Sequence, residues 1–216
     1  MRTTISPSAR KILASAALLA STTVATPAIA AASFQADVGT WIALNPGYTE
    51  DQEYGAAFTV TPLVTLDDGT VLQFTGPVQI RTVPSSWSTW CCGYTGDVLY
   101  TQGATSVTID ALTGVAALGF YAEPNQFADY LITLLLEDGS SLVQTVNGSG
   151  GAEFFGFTGG GVTSMTVSSS TDFAIGDFFV RAVPEPQTWA MMLLGFGGIG
   201  MAMRRSKRAT RLAQVA

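Results

Sequence analysis

Two stretches of the chain share one pattern: VTLDDGTVLQF (Val64–Phe74) and TLLLEDGSSLVQTV (Thr133–Val146). In each stretch, an Asp-Gly pair separates two runs of mainly apolar and β-branched residues. Asp and Gly accept the positive φ that a tight turn needs, so each stretch predicts a β-hairpin. We attribute the likeness of the two stretches to shared hairpin chemistry, and an internal repeat is the alternative.

Strand patterns continue outward from these hairpins, and no amphipathic helix is evident between Ser33 and Ala182. Two runs are apolar on both faces and predict central strands: Tyr130–Leu136 and Phe178–Val183. About ten strands in roughly 150 residues predict an all-β fold, an antiparallel two-sheet β-sandwich of jelly-roll type. Alternation of apolar and polar residues, which predicts strands with one buried face, occurs in Val60–Leu66, Val78–Arg81, Val107–Asp110 and Met165–Ser168.

The N-terminus has the pattern of a signal peptide over residues 1–32. Basic residues precede an apolar run, Ile12–Ala25, and small residues follow at spacings that fit an A-x-A cleavage site. The alternative is a membrane anchor, but a spanning helix needs about 20 apolar residues and this run is shorter and contains threonine.

The charge of the chain is divided very unevenly. Residues 33–183 hold fifteen of the sixteen acidic residues and only two basic ones, Arg81 and Arg181, a formal charge of −13. Phosphate binding depends on Lys and Arg, so this region is not expected to bind nucleic acid. Such a charge suits an exported domain, or one that attracts cations.

The two cysteines, Cys91 and Cys92, are adjacent. Neighbouring Cα atoms lie about 3.8 Å apart, below the roughly 4.4–6.8 Å of ordinary disulfides. A strained vicinal disulfide, two free thiols and links to another chain therefore all stay open.

Few residues in the central region can carry catalysis. The chain has no histidine, and residues 33–183 have no lysine, which excludes His-dependent triads, His-ligated zinc and Schiff-base chemistry there. Carboxylates remain, among them Glu153 and Asp177 beside aromatic residues, and we expect both to point to solvent. The sequence thus favours a non-enzyme that needs no cofactor. A calcium site of loop oxygens is a further hypothesis, but no ligands can be named.

Aromatic residues cluster in the segment Val83–Tyr100. Trp87, Trp90 and Tyr94 are candidates for stacking on the rings of a glycan. The alternative, which we favour, is that they cap one end of the core, because Trp is highly buried on average.

The C-terminal region, VPEPQTWAMMLLGFGGIGMAMRRSKR (Val183–Arg208), differs from the rest of the chain. The apolar run Trp189–Met203 would be about 22 Å long as a helix, and we predict that it is a short transmembrane helix. By the positive-inside rule, the basic cluster places its C-terminal end in the cytoplasm. Before the apolar run stand Pro184, Glu185 and Pro186, and after it the basic cluster Arg204, Arg205, Lys207 and Arg208.

This tail closely resembles the PEP-CTERM sorting signal of Gram-negative bacteria in the order and spacing of its three parts and in the residues of its apolar run. The resemblance implies recognition by exosortase, a membrane enzyme, and cleavage near the Pro184–Pro186 motif. It also implies delivery to the cell surface or to an exopolysaccharide (biofilm) matrix. The body of such proteins is similar to carbohydrate-binding jelly rolls. Gly176 stands where Asp is common in that family, which weakens the calcium hypothesis.

We therefore expect a signal peptide (1–32), a β-sandwich domain (33–182), a sorting signal (183–208) and a cytoplasmic tail (209–216). The expected function is that of an exported surface or matrix protein with a structural or glycan-binding role. The expected partners are exosortase, the inner membrane transiently, and extracellular polysaccharide. The alternatives are a secreted carboxylate-dependent glycan hydrolase with the same tail, and an uncleaved tail-anchored protein.

Overall fold

A computed structural model describes residues 31–110, 112, 114–159, 162–183 and 191–200, so nearly all of the predicted signal peptide lies outside the described residues. Ten residues, 191–200, form a helix (α2) whose side chains are all exposed. The other elements, in chain order, are β1 (Ser33–Gln35), α1 (Val38–Leu44), β2 (Thr49–Asp51), β3 (Val60–Thr65), β4 (Val71–Thr82), β5 (Asp97–Tyr100), β6 (Ser106–Asp110), β7 (Val115–Pro124), β8 (Asp129–Leu136), β9 (Ser141–Asn147), β10 (Glu153–Thr158), β11 (Ser164–Ser169) and β12 (Phe173–Ala182).

Both predicted hairpins are present, as β3–β4 and β8–β9. In the first, Gly69 has a φ of 86° and its amide donates to the Leu66 carbonyl at 2.8 Å. In the second, Gly139 has a φ of 85° and donates to the Leu136 carbonyl at 3.0 Å. The same turn chemistry therefore produces the same turn at two places, as the two Asp-Gly stretches predict.

The antiparallel all-β fold is confirmed, but the strands form one continuous sheet instead of two separate ones. The order is β1-β10-β7-β12-β5-β4-β6-β11-β8-β9, with β2 also paired to β12 and β3 to β4. The continuity depends on β4, which pairs with β6 through Gln73–Phe74 and with β5 through Gln79–Thr82. Between these two parts lies Gly76, whose φ of 99° suits glycine and lets the strand bend. The sheet therefore folds over into a nearly closed, barrel-like shape.

The folded sheet encloses one large core. The alternating runs face it as predicted, except that Val60 is half exposed. The predicted central strand at Phe178–Val183 is confirmed for Phe178, Phe179 and Val180, which are all buried. The predicted strand at Tyr130–Leu136 is also present, as β8 between β11 and β9. The expectation that both of its faces are buried is wrong, because Leu131 and Leu135 are 59% and 40% exposed. Among the core residues are Leu72, Phe74, Ile80, Ile109, Phe120, Ile132, Phe155, Phe157 and Phe173.

A short helix, which the sequence reading missed, covers the outer face of β7, β10 and β12. Helix α1 begins after Asp37, whose side chain caps it by accepting a hydrogen bond from the Thr40 amide at 2.7 Å. Its Trp41 is fully buried, and the indole Nε1 donates to the Phe157 carbonyl at 3.2 Å. Because only seven residues are helical, the apolar period was too short to detect.

No helix within the described residues is long and apolar enough to cross a membrane. Helix α2 covers only part of the predicted transmembrane run Trp189–Met203, and ten helical residues span about 15 Å. The remaining residues of that run lie outside the described ranges.

We expect Gly156→Ala to destabilise the fold. A Cβ at Gly156 would lie 2.5 Å from Cδ1 of Trp41 and 2.7 Å from Cε1 of Phe154, so the buried rings would have to move. Overpacking of this kind costs about 1–3 kcal/mol in the free energy of unfolding, measured by urea denaturation.

The matched control is Gly39→Ala in α1. There the new Cβ would meet only the Asp37 Oδ1 at 3.5 Å, and alanine favours helix. Its free energy of unfolding should be unchanged or slightly higher. Equal losses in both variants would contradict the packing argument.

Candidate functional site

The predicted aromatic cluster is held to the sheet by a buried carboxyl group. Trp87 is only 7% exposed, and its Nε1 donates to the Glu123 Oε2 at 3.2 Å. The Thr89 hydroxyl donates to the other oxygen of Glu123. Glu123 is 1% exposed, and this burial raises the pKa of its carboxyl group. Trp87 therefore anchors the loop between β4 and β5, and its ring is not presented to solvent.

The other two candidate aromatic residues lie further along the same loop and are partly exposed. The rings of Trp90 and Tyr94 pack with centroids 5.8 Å apart. The Tyr94 hydroxyl donates to the Asp97 carbonyl at 2.6 Å, which fixes the ring. Tyr94 lines a cleft. Trp90 packs against a separate group of rings, the aromatic cluster under α1, which is formed by Trp41, Tyr121, Phe154 and Phe179. Glycan stacking by these residues stays a prediction.

A β-bulge in β12 places Asp177 in this cleft. The pairing of β12 with β7 shifts between Gly176 and Phe179, so Asp177 and Phe178 together face one residue of β7. Asp177 has a φ of 53°, in the left-handed region that non-glycine residues rarely adopt, and is 7% exposed. The expectation that Asp177 points to solvent is therefore wrong, because the bulge interrupts the alternation of β12. Glu153 is exposed, as expected.

Asp177 forms an acid pair with Glu50. Strand β2 pairs with β12, with Asp51 opposite Phe178, which brings Glu50 and Gln52 to the bulge. The Gln52 Nε2 donates to the Asp177 Oδ1 at 3.1 Å and also to the Glu50 Oε1. Burial, and then the negative charge of Glu50, raise the pKa of Asp177 to about 7. Near neutral pH, Asp177 is therefore protonated in part of the molecules.

The cleft around this pair has a volume of about 420 Å³. It combines hydrogen-bonding side chains with ring faces and a small apolar wall from α1, and no basic residue lines it. Its lining residues are Val38, Ile42, Glu50, Gln52, Cys92, Gly93, Tyr94, Thr95, Tyr121, Asp177 and Phe179. Acids and amides beside aromatic rings are suited to binding the hydroxyl groups and apolar faces of sugars.

One amide group bridges the two carboxyl groups. Because the Gln52 Nε2 donates to both Asp177 and Glu50, it lies between them. Glycosidases keep the space between their two carboxyl groups open for the sugar or a water, at about 5–5.5 Å in retaining and about 6.5–9.5 Å in inverting enzymes.

The described residues provide no set of ligands for the calcium ion suggested above. Among the residues that the structure describes, no three His, Cys, Asp or Glu side chains converge as a metal site would require. Another hollow, of about 340 Å³, lies where β4 separates from β5 and β6, and no titratable side chain lines it.

Sequence reasoning missed Glu50, Gln52 and Tyr121 as site residues. The only available signal was that Glu50 and Gln52 are two residues apart in an extended segment, and so share a face. Nothing local indicated that this face meets the bulge of β12, since β2 and β12 are far apart in the chain.

A family profile for the PEP-CTERM protein-sorting motif matches residues 182–208. The chain thus carries this motif, which marks an exported protein that exosortase sorts to the cell surface. The resemblance noted from the sequence is confirmed. The motif residues Pro184, Glu185 and Pro186 and the basic cluster Arg204, Arg205, Lys207 and Arg208 lie outside the described residues, and their individual roles stay predictions.

The other comparisons say little about function. No curated protein matches the chain. Among solved structures, the enzymatically active domain of tailspike protein 4 from bacteriophage CBA120 is similar at 15% identity, with a TM-score of 0.24. The match covers 63% of this chain and 20% of the tailspike chain, and at that TM-score it supports no conclusion.

We expect Asp177 to make the protein less stable as the pH rises. Its pKa is raised from 3.8 to about 7, so the folded chain holds the proton more tightly than the unfolded chain does. The contribution of this group to stability is therefore full below about pH 4 and is lost as the pH rises through about 7. Asp177→Asn should remove this contribution, so the variant should gain stability relative to wild type between pH 5 and pH 8.

The measurement is the free energy of unfolding by urea at several pH values. Asp110→Asn is the matched control, because it makes the same chemical change on β6, away from the cleft. Comparison of the two variants separates the effect of Asp177 from the general effect of removing one carboxylate from this acidic region. Parallel profiles for wild type and Asp177→Asn would contradict the assignment of the raised pKa.

Proposed function

We propose that this exported protein is a surface or exopolysaccharide-matrix protein whose β-domain binds extracellular polysaccharide without cleaving it. The observation that carries the proposal is the position of the sorting motif. It begins at Ala182, the last residue of β12, so the whole folded domain precedes the signal that directs it to the surface. What is delivered is therefore the β-domain together with its cleft.

The chemistry of the cleft supports polysaccharide as the ligand. Gln52, Glu50 and Asp177 offer acceptors to hydroxyl groups, and Asp177 can also donate when it is protonated. Tyr94 and Tyr121 supply aromatic surface beside them. The absence of basic residues from the lining argues against a strongly anionic polymer.

A carboxylate-dependent glycan hydrolase is the second candidate. The observation that favours it is the pKa of about 7 at Asp177, because a general acid for glycoside cleavage needs a raised pKa. The position of Gln52 speaks against it, because its amide donates to both carboxyl groups and so occupies the space between them. A third candidate, a permanently tail-anchored protein, differs only in whether the tail is cut.

For sorting, we expect the mature surface protein to end close to Glu185. Proline disfavours a helical conformation in the residue before it, so the Pro-Glu-Pro sequence predicts a segment that a protease can reach. Mass spectrometry of protein released from the native cell surface measures this end directly. Recovery of peptides from residues 209–216 in the mature form would support the tail-anchored alternative instead.

For binding, we expect Gln52→Leu to weaken attachment to exopolysaccharide purified from the producing bacterium by roughly ten-fold. Leucine has a similar size but cannot donate to the carboxyl groups of Glu50 and Asp177, so these two acids lose the bonds that position them. Hydrogen bonds to charged groups contribute about 1.5–3 kcal/mol. The measurement is affinity on an immobilised polysaccharide surface, with the melting temperature checked in parallel.

The matched control is Gln73→Leu, an exposed glutamine on β4 outside the cleft, which should bind like wild type. Equal affinity of Gln52→Leu and wild type would remove the cleft from the binding site. Release of sugar from the same polymer, lost in Asp177→Asn, would instead establish the hydrolase.

A further inference from the structure

The adjacent cysteines occupy a tight turn in the wall of the cleft. The Tyr94 amide donates to the Cys91 carbonyl at 3.1 Å, which closes a turn with Cys92 and Gly93 at its centre. Both central residues have positive φ, 64° at Cys92 and 79° at Gly93. This is the backbone of a type I′ turn, where Asn-Gly is the usual pair. A cysteine in the first central position has no local conformational reason to be there.

The two thiols belong to neighbouring residues but lie in different surroundings. Cys91 is partly buried and packs against the aromatic cluster under α1, which includes Tyr121. Cys92 is exposed and lines the cleft beside Asp177. Burial raises the pKa of the Cys91 thiol, so the exposed Cys92 is the better placed of the two to react first.

The destination of the protein favours oxidation of this pair. Disulfides form and persist outside the cytoplasm, and the sorting motif marks an exported chain. The chain contains only these two cysteines, so each has only the other as an intramolecular partner.

We propose that Cys91 and Cys92 form a vicinal disulfide after export, and that this bond holds the cleft wall in the shape that binds glycan. The second half of the proposal rests on the proposed glycan-binding function. The first half, the redox state of the two sulfurs, does not depend on it.

The chemistry is ordinary thiol–disulfide exchange with an oxidised dithiol or small-molecule disulfide. The Cys92 thiolate attacks one sulfur of the oxidant, forming a mixed disulfide and releasing the first thiol. Cys91 then loses its proton and attacks the Cys92 sulfur, which releases the second thiol. Two protein thiols are oxidised, one disulfide is reduced to two thiols, and no other reactant is needed.

Closing the bond alters the cleft because Cys92, Gly93 and Tyr94 are consecutive lining residues. The disulfide joins Cys92 to Cys91, which packs against the aromatic cluster under α1. It therefore restricts the backbone conformations that the turn can adopt. The joined sulfurs also present a rigid apolar surface beside Tyr121, against which a sugar ring can pack. Because neighbouring Cα atoms are too close for an unstrained disulfide, the bond should be easily reduced, and labile disulfides are often regulatory.

The test uses wild-type protein released from the surface of the producing bacterium. Free thiols are first blocked with one alkylating reagent, and after reduction the protein is treated with a second reagent of different mass. We expect the intact protein to carry none of the first label and two of the second. Reduction should weaken binding to immobilised exopolysaccharide from the same bacterium several-fold, and oxidised glutathione should restore it. The variant Cys91→Ser/Cys92→Ser should bind the polysaccharide as the reduced protein does, and the reductant should not change its affinity.

Each alternative outcome is distinct. Two copies of the first label, or chains joined by a disulfide between copies, would overturn the vicinal bond. A vicinal disulfide without any change of affinity on reduction would overturn its role in the cleft. If neither redox state binds the polysaccharide, and Gln52→Leu also has no effect, then the proposed function has failed, while the labelling still decides whether the bond exists.

Discussion

The bulge in β12 allows one strand to supply side chains to two apolar clusters on opposite faces of the sheet. Phe173 and Ile175 face the large core, and after the bulge Phe178 and Val180 do so as well. Strict alternation cannot place all four on one side, because the spacing is two, three and two residues. The extra residue brings Phe178 and Val180 back to the inner face of the sheet. Phe179 then points outward and packs under α1. One strand thereby connects the core to the layer that covers the sheet.

The same bulge creates the chemistry of the cleft. An extra residue cannot join the regular pairing, and here that residue is Asp177, a carboxyl group at the edge of the aromatic cluster. Two arginines and fifteen acids in residues 33–183 leave no basic side chain to neutralise it at this place. Glu50 lies on β2 and Gln52 directly follows it, and Gln52 donates a hydrogen bond to Asp177 where a cation would otherwise stand. The buried carboxyl group of Asp177 therefore opposes stability once it is ionised, which is the expected cost of holding a polar group inside an apolar surface.

The sorting motif and the cleft lie in separate parts of the described chain. The motif begins at Ala182, the last residue of β12, and none of its described residues, 182–183 and 191–200, belongs to the core or lines the cleft. The cleft takes residues from α1, β2, β7, β12 and the loop between β4 and β5.

The sequence by itself determined the strand pattern, the two Asp-Gly hairpins and the identity of the sorting motif. These are local properties: turn φ angles, alternation and the order of a short segment are all written in neighbouring residues. It could not show that β4 bends at Gly76 to join two halves into one sheet, or that a seven-residue helix buries Trp41. Nor could it bring Gln52 to Asp177, because that contact joins residues 125 positions apart. Only the tertiary structure decided the cleft, since pairing between distant strands and a register shift of one residue determine which side chains meet there.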